Sequence, residues 1–124
     1  MATLKGSTTQ FDVRPLSAPD DFWVRVQKLI QQAATKDSQI ILFPEYFSLS
    51  WLLAHHSGNF AEAFDGFESV KSEYHTHFQE MAKQHQTIIV AGSTPVMMRV
   101  RRVNRSFVYL PDGRMFEQDK QNTT

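Results

Sequence analysis

The sequence predicts an α/β layered fold. Two amphipathic helical segments each precede a short, continuous apolar run, and such runs are typical of strands buried in a sheet. The order helix, strand, helix, strand favours helices packed in a layer against a sheet. With 124 residues, 41% of them hydrophobic, the chain is long enough for one small domain with a single core.

The first helix is predicted to start within Leu16–Asp20, near Asp20, after a weak strand from Thr8 to Val13. Ser17 is the expected N-cap, Asp20 stands where a capping box places its carboxylate, and Pro19 is tolerated in the first turn. One apolar stripe follows at helical spacing, formed by Phe22, Val26, Leu29, Ile30 and Ala33.

The second helix and the two buried strands follow. The run Gln39–Phe43, ended by Pro44, predicts the first buried strand, with both of its faces covered. Residues Ser50–Ala63 are expected to be a loop with short helical turns. A second amphipathic helix is predicted over Phe67–His85, and Thr87–Gly92 predicts the second buried strand. We expect the two strands to be central neighbours in one sheet, with both helices together on one face.

The remainder is predicted to be a meander of shorter strands. The turn Pro111-Asp112-Gly113-Arg114 carries a strong turn signal and closes a hairpin. The expected strands are one in which Val96, Met98 and Val100 alternate with polar residues, one at Phe107–Leu110, and one from Met115 to Gln118.

Charge and hydropathy exclude several classes of function. Thirteen basic residues balance thirteen acidic ones, which argues against nucleic-acid and acidic-membrane binding, because both need surplus positive charge. A local cluster of arginines fits the outward face of a strand and its turn better than a phosphate-binding groove: Arg99, Arg101, Arg102 and Arg105. No apolar run is long enough to span a bilayer, and residues 1–10 lack the apolar stretch of a secretory signal. A soluble cytoplasmic protein is expected.

The chain contains no cysteine, which removes disulfides, zinc–thiolate sites and a cysteine nucleophile from these 124 residues. The five histidines form no i, i+4 pair on a helix, so we expect no metal site. Ser93, at the end of the second buried strand, is expected to be a turn or cap residue rather than a nucleophile.

Glu45 is the first candidate for chemistry. A buried strand that ends in Pro44-Glu45 delivers the carboxylate to the carboxyl edge of the sheet, where α/β proteins place their sites. Enclosure by apolar side chains would suit a carboxylate to exchange protons near neutral pH. The side chains that could enclose it are Tyr46, Phe47, Leu49 and Trp51. The alternative is a surface glutamate after a strand-ending proline.

Lys120 is the second candidate. It leaves a strand after a tight hairpin, where its ammonium group could stabilise a developing oxyanion as a fixed positive charge. The alternative is a solvated lysine, which is the common state of lysine at the end of a hairpin.

These segments, in this order, resemble the nitrilase superfamily of carbon–nitrogen hydrolases. Phe43-Pro44-Glu45 matches the family's glutamate motif, and Ile88–Ser93 resembles the strand after its second helix. Asn104–Gly113 resembles the stretch from an asparagine to a Pro-x-Gly turn, and Gln118-Asp119-Lys120 stands where the family carries its lysine. Thr9–Phe11, with Arg14-Pro15 behind it, is similar to a branch in which the domain often follows an acetyltransferase-like domain.

The resemblance implies a four-layer α-β-β-α sandwich, of which residues 1–124 are the N-terminal half, ending after the lysine motif. It also implies a Glu-Lys-Cys triad without metal or organic cofactor. Glu45 would be the general base and acid, Lys120 would stabilise the tetrahedral intermediate, and Tyr46 and Phe47 would line the substrate pocket. The substrate would be a small amide or nitrile. The family's cysteine lies beyond its lysine, so this chain alone is expected to be inactive.

Two other functions stay open on the sequence. A half-domain without catalysis would expose an apolar sheet face and unpaired edges, which favours self-association or binding of another chain. A homo-oligomer is therefore expected. An unrelated small α/β ligand-binding domain rests on analogy of fold alone.

Overall fold

The computed structural model of the chain describes residues 5–8, 18–56, 59, 62–63, 66–98 and 101–120, with the backbone alone for residues 97–98, 101–102 and 120. Its five strands form one sheet whose order follows the chain. The predicted α/β class is confirmed. The elements are β1 (Gly6–Thr8), α1 (Pro19–Thr35), β2 (Ile40–Leu42), α2 (Leu49–His55), α3 (Phe67–His85), β3 (Ile88–Met98), β4 (Arg101–Tyr109) and β5 (Met115–Lys120).

The sheet is parallel on one side and antiparallel on the other. Strands β1, β2 and β3 run parallel, and β4 and β5 continue the sheet as an antiparallel hairpin. Strands β2 and β3 pair from Ile40 opposite Ile88 to Leu42 opposite Val90, and neither lies at an edge. The two apolar runs are therefore central neighbours, as predicted.

Helix α1 begins one residue later than it would if Ser17 were its N-cap, as predicted. Its N-cap is Ala18, whose backbone N–H donates a hydrogen bond to the Asp21 carboxylate at 3.2 Å. The capping acid is therefore Asp21, and the prediction of Asp20 in this role is wrong. Ser17 lies outside the described residues, as does the predicted weak strand except for Thr8, which ends β1.

The core lies between the sheet and the helices on one of its faces. Trp23 of α1 packs against α3, with ring centroids 5.3 Å from Phe78 and 5.9 Å from Tyr74, and lies 5.4 Å from Trp51 of α2. Both helices therefore share one face of the sheet, which confirms the predicted apolar stripe of α1 and the predicted amphipathic character of α3. The buried residues of these two helices are Phe22, Trp23, Val26, Ile30, Ala33, Phe67, Tyr74, Phe78, Met81 and Ala82.

The opposite face of the sheet is covered by no element in the described part of the chain. Four apolar residues there stand directly opposite one another on adjacent strands, in the order Leu42, Val90, Val108 and Phe116. We call them the open apolar row. Leu42 is 40% and Phe116 53% exposed, whereas Ile41, on the helix side, is fully buried. Among the described residues, helices cover only one face of this run, so the prediction that Gln39–Phe43 is buried on both faces is wrong within the described part of the chain.

Strand β3 is a single strand of 11 residues, longer than the predicted Thr87–Gly92. Val96 and Met98, expected in a separate strand, belong to it, because a register shift between Ala91 and Thr94 bends the strand without ending it. The predicted loop Ser50–Ala63 likewise contains most of α2.

The hairpin between β4 and β5 is confirmed. Gly113 has a φ of 94°, a left-handed conformation that glycine adopts without strain. Its N–H donates to the Leu110 carbonyl at 2.9 Å, and the Leu110 N–H donates to the Arg114 carbonyl at 2.9 Å. Strand β4 begins at Arg101, well before the predicted start at Phe107, because its pairing with β3 continues past the bulge.

Candidate active site

Glu45 begins a turn, residues 45–48, that joins β2 to α2 at the carboxyl edge of the parallel strands. Just before it, the Phe43 N–H donates to the Val90 carbonyl at 2.9 Å, so pairing with β3 extends past the end of β2. Just after it, the Tyr46 N–H donates to the Ser93 carbonyl at 2.8 Å. The backbone on both sides of Glu45 is thus hydrogen-bonded to β3, which fixes where the side chain leaves the sheet.

Strand β3 carries a β-bulge next to this turn. The register shift between Ala91 and Thr94 leaves two residues, Gly92 and Ser93, opposite a single residue of β4. Bulges re-aim backbone groups and are frequent beside active sites. Here the bulged residue Ser93 presents its carbonyl to the Tyr46 N–H, so the bulge provides the acceptor that holds the turn.

Gly92 allows the end of β2 to approach β3 closely. A Cβ atom at Gly92 would lie 2.0 Å from the Pro44 oxygen, 2.4 Å from the Pro44 carbonyl carbon and 2.6 Å from the Phe43 oxygen. All three are backbone atoms of the segment that carries Glu45, and they cannot move aside as the end of a side chain does. A residue without Cβ is therefore required at this position.

Tyr46 is held in a backbone conformation that is unfavourable for a residue with a side chain. Its φ is 58°, in the left-handed region, which costs ~1–3 kcal/mol for a residue other than glycine. Besides its bond to Ser93, its carbonyl accepts from the Leu49 N–H at 3.0 Å. Its hydroxyl oxygen accepts from Asn104 Nδ2 at 2.6 Å. Strain of this kind persists only where surrounding contacts determine the conformation.

A buried hydroxyl network lies beneath the turn. Ser48 Oγ and Thr94 Oγ1 are 3.0 Å apart, and Tyr74 Oη lies 3.3 Å from the same Thr94 oxygen. All three residues are fully buried. Burial raises the pKa of Tyr74, although its hydrogen bonds to Thr94 and Ser48 act in the opposite direction, so the phenol stays protonated. The network joins the end of the turn to β3 and α3.

The predicted site residues differ in their accessibility. Glu45 is exposed and Tyr46 is half-buried. Phe47 and Trp51 are fully buried; the Phe47 ring stacks on Phe43 with centroids 4.9 Å apart. These two side chains belong to the core on the helix side and do not enclose the carboxylate. The expected apolar enclosure by Phe47 and Trp51 is therefore absent in this chain, because α2 turns Trp51 toward α1.

Lys120 is the last residue of β5 and stands directly opposite Asn104 of β4. Residues directly opposite each other in an antiparallel pair share a face of the sheet. Strand alternation puts Asn104 on the face opposite Phe107, which is the face of the open apolar row. The hairpin thus brings the Lys120 backbone next to the residue that contacts the Glu45 turn.

Several residues of this region were not singled out by the sequence as site residues. Asn104 lies in a segment noted for the family resemblance, Gly92 was predicted only as the end of a buried strand, and Ser48 and Thr94 carried no signal. A glycine inside an apolar strand pattern does indicate a bulge or a close backbone approach, and Gly92 has both roles. Ser93 is buried, and its hydroxyl has no hydrogen-bond partner among the described residues.

No group of three or more potential ligands that could hold a metal ion occurs among the described residues. Nor is any helix in the described ranges long and apolar enough to cross a membrane.

Arg105 is paired within the hairpin, with Nε 2.5 Å from an Asp119 oxygen and NH1 3.7 Å from a Glu117 oxygen. Its hydrogen bond to Asp119 raises the pKa of Arg105. Arg99 lies outside the described residues.

Arg105 was predicted to lie on the outward face of its strand, but it lies on the helix side of the sheet. With Phe107, Glu117 and His75 it lines a cavity of about 280 Å³ between α3 and the hairpin. His75 Nδ1 lies 2.9 Å from Tyr109 Oη. Burial lowers the pKa of His75, as does nearby Lys71, while Glu117 opposes the shift. Burial raises the pKa of Tyr109, so its phenol stays protonated beside the imidazole.

The lowered pKa of His75 predicts a loss of stability in acid. Below about pH 6.5, the ordinary value for histidine, the unfolded chain binds a proton at this position that the folded chain resists. The free energy of unfolding should therefore fall as pH decreases through this range. We expect urea unfolding at pH 7.5 and 5.5 to show a smaller loss in His75→Gln than in the unmodified chain. An equal loss in both chains would contradict the assignment.

Comparison with known proteins assigns the sequence to a family. The family model described as carbon-nitrogen hydrolase matches residues 9–123. A comparison with curated protein sequences gives no significant match.

Solved structures share the fold at low sequence identity. A carbon-nitrogen hydrolase from Helicobacter pylori G27 is similar with a TM-score of 0.72 and 16% identity, over 98% of this chain and 40% of that one. An amidase from Nesterenkonia sp. gives 0.67 and 17%, over 94% and 42%. A mutant of the amidase from Nesterenkonia sp. AN1, showing Michael addition of acrylamide at the active-site cysteine, gives 0.69 and 15%, over 98% and 46%.

This chain therefore spans less than half the length of these relatives. Its five-stranded sheet with helices on one face matches part of their fold. Because the family model matches nearly the whole sequence, the chain belongs to the carbon–nitrogen hydrolase family.

Proposed function

We propose that this chain supplies the glutamate and lysine of a Glu-Lys-Cys triad that hydrolyses a non-peptide C–N bond in a small amide or nitrile. The observation that carries the proposal is the attachment of the Glu45 turn to β3 through the Phe43 and Tyr46 amides. Lys120 ends β5 opposite the residue that contacts the same turn. The cysteine of the triad lies outside these 124 residues, which contain none.

In this mechanism the thiolate attacks the carbonyl carbon, and the carbonyl oxygen becomes an oxyanion. The Lys120 ammonium stabilises that charge. Glu45 takes the proton from the thiol and gives it to the departing amine, which leaves a thioester. Glu45 then takes a proton from water as the water attacks the thioester, releasing the acid and the thiol. No step needs a metal or an organic cofactor.

The substrate is proposed to be a small amide, on the basis of a similar solved structure and of the residues beside Glu45. Tyr46 is half-buried beside Glu45 and would border the substrate, while Phe47 lies beneath it in the core. The similar Nesterenkonia sp. AN1 amidase, in its mutant form, has added acrylamide at its active-site cysteine. The name of these similar structures, amidase, favours a small amide over a nitrile for this chain.

Ammonia release tests the proposal. We expect residues 1–124 alone to release no ammonia from a small amide such as propionamide, because only cysteine supplies a thiolate and these residues contain none. A protein in which the same residues continue through the family's cysteine should release it. Activity of the short chain, or none in the longer protein with its cysteine intact, would contradict the proposal.

A second candidate function is self-association through the uncovered sheet face, favoured by the open apolar row. Leu42 and Phe116 stand at the two ends of this row and are its most exposed members. Contiguous apolar surface on a soluble domain marks a site of association. A second copy of the chain could cover it, which would make the chain a homo-oligomer.

Light scattering after size-exclusion chromatography tests this second function. Phe116→Lys puts a charge in the open apolar row, and we expect it to weaken association at least about tenfold, the effect of losing ~1.5 kcal/mol of apolar burial. Val24→Lys is the matched control, since Val24 is 68% exposed on α1, away from the row. An unmodified chain that stays monomeric would reject self-association.

A further inference from the structure

We propose that Asn104 is a positioning residue that sets the geometry between Glu45 and Lys120. The inference rests on the proposed function of these two residues and adds one that acts through them. Asn104 contacts the turn that carries Glu45 through its side chain and contacts the strand that carries Lys120 through its backbone. It therefore links the two halves of the site.

The link to the glutamate passes through Tyr46. Asn104 Nδ2 donates to the Tyr46 hydroxyl at 2.6 Å, and the two residues are 58 positions apart in the sequence. Tyr46 has a φ of 58°, so its backbone would relax to a more favourable conformation if its contacts were lost. Because Tyr46 follows Glu45 directly, a rotation of its backbone changes the direction in which the carboxylate points.

The link to the lysine passes through the β-hairpin. Asn104 and Lys120 are directly opposite each other, and adjacent strands lie about 4.8 Å apart. Asn104 lies well inside β4, whereas Lys120 ends β5, so the anchored residue belongs to the better-paired strand. The Tyr46 side chain therefore reaches from its anchor on β3 to the strand beside the lysine.

A neutral amide suits a residue that, on the proposed function, positions a carboxylate relative to an ammonium group. A charged side chain would compete with one of the two catalytic groups for its partner, whereas asparagine donates a hydrogen bond without adding charge. A displacement of the carboxylate by about 1 Å lowers a rate by about 100-fold, so a contact of this kind has a large effect on catalysis.

Nuclear magnetic resonance of the Lys120 ammonium nitrogen in the 124-residue chain tests the inference without requiring catalysis. Glu45→Gln should shift this resonance, because on the proposed function it removes a carboxylate that shares a site with the ammonium group. In chains that also carry Asn104→Ala, most of the shift caused by Glu45→Gln should be lost. Tyr46→Phe removes the same hydrogen bond from its other end and should have the same effect. Ser106→Ala, two residues along the same face of β4, is the matched control and should leave the shift intact.

The outcomes separate the inference from the proposed function. If Glu45→Gln causes the same shift of the Lys120 resonance with and without the Asn104 amide, the positioning role is overturned, but the proposal of a shared site is not. No shift on Glu45→Gln with Asn104 present would overturn both, because Glu45 and Lys120 would then not share a site. A general loss of resonance dispersion in Asn104→Ala would mean that Asn104 is needed for folding. In that case the Tyr46→Phe chain, provided that it keeps its dispersion, shows whether the shift caused by Glu45→Gln depends on the hydrogen bond.

Discussion

Glu45→Gln, in a protein that carries this chain together with the family's cysteine, is expected to lower kcat for a small amide at least ~1000-fold. Glutamine keeps the shape of the side chain but cannot accept the thiol proton or return it to the leaving amine. Residues that act as one catalytic unit lose nearly all activity when one of them is removed. Ammonia release measured under saturating amide gives kcat directly.

The matched control for this experiment is Glu80→Gln, which removes an exposed carboxylate on α3 without touching the turn. We expect its kcat to stay within twofold of the unmodified protein, since surface substitutions away from a site have small effects, roughly ±0.5 kcal/mol. Full activity of Glu45→Gln would exclude Glu45 as the proton carrier.

Gly92→Ala is expected to lower the free energy of unfolding of the chain by about 3 kcal/mol, the upper range for steric overpacking. The added Cβ would lie 2.0 Å from the Pro44 oxygen, and all the atoms that it would clash with are backbone atoms of Phe43 and Pro44. Strand β2 must then separate from β3, which breaks the Phe43 and Tyr46 hydrogen bonds that hold the Glu45 turn. Urea unfolding followed by circular dichroism measures the change.

Gly6→Ala is the control for this substitution. Gly6 also lies in a strand, but a Cβ there would meet the Ile40 oxygen at 3.6 Å, an ordinary contact. We expect Gly6→Ala to change the free energy of unfolding by no more than about 0.5 kcal/mol. Equal effects at Gly92 and Gly6 would mean that the close approach of Pro44 to β3 does not occur.

The helices and central strands followed from the sequence because their signals are local. The stripe in Phe67–His85 repeats at helical spacing, and the structure begins and ends α3 at these same residues. The two isoleucine-rich runs are typical of buried parallel strands, and they pair as β2 and β3. The uncovered face could not be predicted in this way, because a continuous apolar run does not reveal which element covers each side of a strand.

The site was predictable only where a motif marks it. Phe43-Pro44-Glu45 placed Glu45 at a strand end, which the structure retains. The expected enclosure by Phe47 and Trp51 failed because nearness in sequence does not determine direction: α2 begins at Leu49 and turns Trp51 into the core. The contact of Asn104 with Tyr46 joins positions 58 residues apart, and only the bulge and sheet register bring them together.

The most direct test of the shared site is the distance from the Glu45 carboxylate to the Lys120 ammonium nitrogen. It is measured in a crystal structure of a protein that continues through the family's cysteine. We predict an N–O distance within about 4 Å, the reach of a salt bridge, with the cysteine sulfur beside both groups. Separation of the two groups by more than about 8 Å, each in open solvent, would contradict the account, because a salt bridge does not extend that far.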